Sequence, residues 1–197
     1  MNKRSGLETK KCILAASMDV FSRKGYTASS IREIAKAAKI SIGTVYIYFK
    51  NKEELYQNLI ENKKQELTEK IGYIFLEKKS AREALKDFIR IHLEYAVKHK
   101  EFILLHIREH GFSFGIEKKR AFFNQQIEII EKIIKKGIDS GEFRKSDPGN
   151  TARIIMGTIR GIILTIALDN VNVRPKELSN FILCALLKDK QVKNNIP

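Results

Sequence analysis

Apolar residues recur at three- and four-residue steps along almost the whole chain, the spacing of a helix that buries one face. The first stripe, Ile13, Leu14, Ser17, Met18 and Phe21, predicts a helix over 10–24 that stops at Gly25. Ser30-Ile31-Arg32-Glu33 has the form of a capping box, in which hydroxyl and carboxylate each bond the other residue's main-chain amide. A short helix follows with Ile31, Ile34, Ala35 and Ala38 inward, and Ser41 caps another that runs to Tyr48. Lys52 opens a long helix expected to reach Lys78, with Leu55, Leu59 and Leu67 apolar.

The same period continues downstream. Ser80 caps a helix carrying Ala84, Leu85, Phe88, Ile91, Leu93 and Tyr95, and another covers Glu101 to His110 before Gly111. A long stripe over 117–140 includes Phe123, Ile127, Ile130, Ile134 and Ile138, and Gly141 ends it. Pro148 suits the first turn of the next helix, to Leu168, which is apolar nearly all round and so reads as buried. Arg174-Pro175 opens the last, with Leu178, Phe181, Ile182, Leu183 and Leu186. The expected fold class is all-α, about nine helices, without repeats or low-complexity tracts. A three-helix head over 1–52 precedes a helical body over 53–197.

Charge adds a direction to this picture. Lys and Arg number 37 against 23 Asp and Glu, a net +14, of which +8 falls in the first 52 residues. A basic head on a nearly balanced body points to a polyanion at one end. Only 3 Pro and 11 Gly disfavour a turn-rich β-sandwich. Cys12 and Cys184, far apart, form no disulfide framework, which fits a reducing, cytoplasmic setting. Met1 to Lys10 is polar and unlike a signal peptide. The apolar stretch 154–168, broken by Arg160, falls short of the ~20 residues of a membrane span, so no membrane partner is expected.

Catalytic chemistry finds no support. There is no nucleophile with an orienting base, no recognisable carboxylate pair and no glycine-rich phosphate loop, so neither an enzyme nor a cofactor is expected. In His106-Ile107-Arg108-Glu109-His110 the histidines lie one turn apart. Ile107 stands where a zinc-protease motif needs Glu, and Arg108 repels a cation, so no metal site is expected.

The informative segment is 25–55. Two short helices joined by Ala38-Lys39-Ile40-Ser41 form a helix-turn-helix whose second helix enters a major groove about 12 Å wide. Its first residues, Ser41, Ile42, Gly43 and Thr44, face base edges, while Val45 and Phe49 point to the core. Tyr46 and Tyr48 are placed to bond phosphates, Lys52 opens a helix whose N-terminus favours an anion, and Ser30 and Arg32 reach the backbone across the groove.

From Gly25-Tyr26 through Ser30-Ile31-Arg32-Glu33-Ile34-Ala35 to Ala38–Leu55, the chain resembles the TetR family of bacterial transcriptional regulators nearly position by position. The resemblance covers roughly residues 8–60 and implies operator contact at Ser30, Arg32, Ser41, Ile42, Gly43, Thr44, Tyr46, Tyr48 and Lys52. Lys39 departs from it, standing where the family usually has a turn glycine.

A single helix-turn-helix reads too few bases, so a homodimer on palindromic double-stranded DNA is expected. Gly157 and Gly161, with Ile155, Ile159 and Ile162, offer a close-packing surface that Phe181 and Ala185 extend. The middle of the chain supplies candidates for an effector pocket: Phe88, Ile91, Tyr95, Phe102, Leu105, His106, Phe123 and Ile127. A basic chain without an acidic aromatic cage favours an apolar or anionic amphiphile such as a fatty acyl compound. The expected function is a ligand-released, DNA-binding repressor; the alternative is a DNA-binding regulator or architectural protein with no inducer.

Overall fold

The computed structural model describes residues 5–75, 79–110, 116–169 and 171–187. Among the described residues the helices are α1 (Gly6–Lys24), α2 (Ile31–Ala38), α3 (Ile42–Tyr48), α4 (Lys52–Gly72), α5 (Ala81–Lys98), α6 (Lys100–His110), α7 (Ile116–Asp139), α8 (Pro148–Asp169) and α9 (Pro175–Leu186). The chain divides into two compact units: Met1–Thr68 with His99–Phe114, and Glu69–Lys98 with Gly115–Pro197. The first unit is therefore larger than the head expected at 1–52, because it takes in most of α4 and recruits α6.

In the first unit, α1 starts four residues before the expected position. Ser5 accepts from the Glu8 amide at 3.3 Å and its own amide donates to the Glu8 carboxylate at 2.8 Å, a capping box outside the apolar stripe. Ser30 and Glu33 form the expected box at the start of α2, with Glu33 N 3.3 Å from Ser30 Oγ and Ser30 N 3.0 Å from the Glu33 carboxylate. Inside lie Ile13, Phe21, Ile34, Val45, Phe49 and Leu55, all essentially without solvent access. Lys39 ends α2 at φ 56° and ψ 46°, the left-handed conformation that favours glycine, and a lysine holds it here. The Ile40 amide closes the turn on the Ala35 carbonyl at 3.0 Å.

In the second unit, α4 ends at Gly72 rather than 78 and passes into a 3-10 turn over Tyr73–Phe75. The amides of Ala81 and Arg82, without a helical acceptor at the first turn of α5, both bond the Glu142 carboxylate at 3.1 Å. Burial alone would raise that carboxyl's pKa, but these main-chain donors and Ser140 hold it below the ordinary value. Lys136 near the end of α7 donates to the Lys79 carbonyl at 2.6 Å, so α5 and α7 run in opposite directions. The core joins Leu85, Phe88 and Ile89 of α5 to Ile130 and Ile134 of α7 and Ile159 of α8.

Helix α8 is longer than its apolar run suggested: its 22 residues are long and apolar enough, by length and composition, to cross a membrane. Its inward residues Ala152, Ile155, Met156, Ile159, Ile166 and Ala167 are nevertheless packed within the second unit.

Two positions test this packing. A Cβ on Gly137 would lie 2.1 Å from Cδ2 of the buried Phe143 ring, so Gly137→Ala is expected to destabilise by about 1–3 kcal/mol, read by urea or thermal unfolding. Conversely, Lys39→Gly relieves the left-handed strain without losing a buried group and is expected to add roughly 1 kcal/mol and raise Tm.

Candidate nucleic-acid interface

Helix α3 has one anchored face and one open face. Val45 and Phe49 are buried in the head, and Ile47, about 200° round the helix from Val45, is 79% exposed. Ile42, Gly43, Tyr46 and Lys50 share the open side with it. The sequence reading did not single out Ile47; its offset from the Val45–Phe49 pair was the signal available. Nothing in the fold demands glycine at 43, where an added Cβ would meet only Ser41 Oγ at 3.7 Å. Ser41 Oγ accepts from the Thr44 amide at 3.0 Å and pairs with the Thr44 hydroxyl at 2.8 Å, so both hydroxyls sit together at the helix entrance.

Flanking α3, Arg32 is exposed on α2, while the Ser30 hydroxyl is engaged with Glu33. Lys24 pairs with the same carboxylate; its hydrogen bond, then that of Ser30, lowers the Glu33 pKa. Tyr46 is exposed and Tyr48 is half-buried against the head core.

Lys52 departs from its expected role. Its ammonium donates to the carbonyls of Tyr26 at 2.7 Å, Thr27 at 3.2 Å and Ser29 at 2.9 Å, which matches its three donors. It also lies 4.5 Å from the Tyr26 ring centre, and that ring packs on Tyr56 at 4.9 Å. The side chain therefore ties the start of α4 to the loop before α2, and its three donors are spent on these carbonyls. A lysine four residues after the end of α3 gives no sequence sign of which way it points.

The pocket candidates separate into two groups. Phe88 and Tyr95 are buried and Ile91, Phe123 and Ile127 half-buried in the second unit, where the Arg160 guanidinium stands 4.0 Å from the Phe123 ring centre. Phe102 and Leu105 instead pack into the head core of the first unit, because α6 lies against α1, and do not join the others. The His106 side chain lies outside the described residues, as does that of His110; among the described residues no group of His, Cys, Asp and Glu could hold a metal.

The dimer candidates separate likewise. Ile155 and Ile159 are buried in their own unit and unavailable to a partner. Gly157, Gly161 and Ala185 are exposed, Ile162 is half-buried and Phe181 is 74% exposed. Ile154, Leu164 and Leu168 complete this outward apolar face, sharing with Gly157 and Gly161 one stripe at three- and four-residue steps.

Residues 13–59 match the bacterial regulatory proteins of the tetR family, and residues 78–164 match a tetracyclin repressor-like C-terminal domain. The fatty acid metabolism regulator protein of Bacillus subtilis is 29% identical over 87% of this chain and 90% of its own. The structure of the transcriptional regulator FadR from Bacillus subtilis in complex with stearoyl-CoA superposes with a TM-score of 0.74, at 27% identity, over 90% of this chain and 97% of that one. The SmeT–triclosan complex shares the fold, with a TM-score of 0.76 at 19% identity over 93% of both chains. With a helix-turn-helix whose reading face is open and both family domains in order, the chain belongs to the TetR family and is a ligand-responsive, DNA-binding transcriptional regulator.

Proposed function

We propose that the protein is a cytoplasmic repressor that holds a palindromic operator as a homodimer and releases it on binding a fatty acyl thioester. The open face of α3 carries the reading: an exposed Ile42, Gly43, Tyr46 and Ile47 on a helix anchored from behind is a surface shaped for a groove. Ser41, Ile42, Gly43, Thr44 and Ile47 meet base edges, where Ile42 and Ile47 contact thymine methyls rather than hydrogen-bond donors. Ser30, Arg32, Tyr46 and Tyr48 serve the phosphates, and Lys52 acts behind them by holding the 26–29 loop.

The outward face of α8 and α9 supports the dimer. Among the described residues an added Cβ on Gly157 or Gly161 would meet nothing within 4 Å, so no packing there requires glycine. Each nonetheless costs the helix about 1 kcal/mol relative to alanine. Beside Ile154, 70% exposed, and Phe181, they form a smooth apolar strip suited to a second copy's helices. The acyl thioester rests on the likeness to a fatty acid metabolism regulator and to the stearoyl-CoA complex, together with the apolar interior of the second unit.

Gel-shift titrations with the protein's own promoter DNA test the head. Arg32→Ala and Tyr46→Phe are expected to weaken all sequences about tenfold, Arg32→Ala also lowering the salt slope by about one, whereas Thr44→Ala and Ile47→Ala change sequence preference. Lys52→Met is expected to weaken binding without changing the salt slope. Unchanged affinity and selectivity across the set would refute the assignment. Stearoyl-CoA at micromolar concentration is expected to release the DNA, and failure of every long-chain acyl-CoA to do so would overturn the effector.

A further inference from the structure

The interior of the second unit holds two polar side chains that the protein itself does not satisfy. His92 on α5 is 2% exposed and Gln126 on α7 is 0% exposed. The His92 Nδ1 lies 2.9 Å from the Phe88 carbonyl, which can only accept, so Nδ1 carries the ring proton and Nε2 is left as an acceptor. That Nε2, and both Nε2 and Oε1 of Gln126, are buried without a hydrogen-bond partner among the described residues. Burial lowers the His92 pKa from 6.5 to about 4, so the ring is neutral at physiological pH and keeps this acceptor.

The two groups lie at a similar level of two helices that pack together. Lys136 bonds the Lys79 carbonyl and Glu142 caps Ala81 and Arg82, so one end of α5 meets the opposite end of α7. Counted from that shared end at about 1.5 Å per residue, His92 and Gln126 lie within roughly one helical turn of the same level. Their neighbours are apolar: the Phe88 ring centre is 4.2 Å from that of His92, and Ile89, Leu93 and Ile130 are buried. Buried polar atoms are satisfied in the great majority of folded proteins, so three orphans on one packed helix pair call for a partner from outside these side chains.

We infer that His92 and Gln126 form a polar anchor inside the effector site, and that the effector is an acyl chain carrying a hydroxyl group. This rests on the acyl reading above and narrows it. A hydroxyl donates its proton to His92 Nε2 while accepting from Gln126 Nε2, which answers two of the three orphaned atoms at once. A thioester carbonyl only accepts, so it serves Gln126 and leaves the imidazole acceptor unanswered. A plain saturated chain answers neither and must bury three orphaned atoms, the case in which hydrogen-bonding sites discriminate most strongly.

The test compares stearoyl-CoA with stearoyl-CoA hydroxylated near the thioester, in mid-chain or towards the tail, by calorimetric binding and by release from promoter DNA. At least one hydroxylated form is expected to bind about 10- to 100-fold more tightly than the plain chain. In Gln126→Leu with His92→Phe that preference is expected to vanish while plain stearoyl-CoA binds at least as well as before. The same variant, free of ligand, is expected to melt at an equal or higher temperature, because unsatisfied polar groups are replaced by apolar ones of similar size. A drop in melting temperature would mean the two side chains serve the fold, and would overturn the anchor. Equal binding of plain and hydroxylated chains by the wild type would overturn it while leaving the acyl reading intact. Binding of neither would overturn both.

Discussion

A helix of seven residues closes too few internal hydrogen bonds to stand alone in water, and α3 persists because Val45 and Phe49 are drawn into the head core. That anchoring also decides its orientation. With two residues of one stripe buried, the opposite stripe must face outward, whatever its own polarity. This is how a large apolar residue such as Ile47 comes to be exposed on a short surface helix. The cap supplied by Ser41 and the left-handed Lys39 set the angle of entry, and the Lys52 ammonium fixes the loop that precedes α2. The reading surface is thus rigid from behind and unencumbered in front.

Helix α8 meets a similar constraint on a larger scale. Its inner stripe completes the core of the second unit, but its outer stripe is almost as apolar, and two glycines there have no neighbour that needs them. A helix that is apolar all round is stable only if both sides are covered. Its own unit covers one side. The small residues on the other side let a second helix approach closely.

Much of this was legible in the residues. The boundaries of α2 and α3 follow from Ser30, Glu33 and Ser41, because side chains at fixed offsets satisfy main-chain donors, and such local chemistry survives any tertiary context. The start of α1 was missed because its cap, Ser5, precedes the apolar stripe that marks the helix. The end of α4 differs from the expected one because Tyr73, Ile74 and Phe75, directly after Gly72, suit an α-helix as readily as the 3-10 turn they form. Phe102 and Leu105 look like any pocket residues in sequence; only the packing of α6 on α1 assigns them to the head. Ile155 and Ile159 were chosen for their nearness to Gly157, yet a one-residue shift turns a helical side chain by about 100°, enough to exchange core for surface. For Lys52 the sequence marks the start of a helix but not where its long flexible side chain points, which only the three carbonyls around it decide.

A regulator of this design needs a source of free energy by which a ligand in one unit opposes DNA binding by another. Tight binding alone supplies none: the ligand must favour one conformation over the other. A wholly apolar interior discriminates weakly between conformations, since dispersion and hydrophobic contacts change gradually as helices shift. Directional groups do not. A hydrogen bond loses most of its strength when its angle or length departs from a narrow range, so buried partners on two different helices reward one relative placement of those helices. His92 on α5 and Gln126 on α7 are such a pair, each unsatisfied by the protein and each on a different helix. A ligand group that bridges them penalises any arrangement in which α5 and α7 move apart, and so converts recognition into a conformational preference.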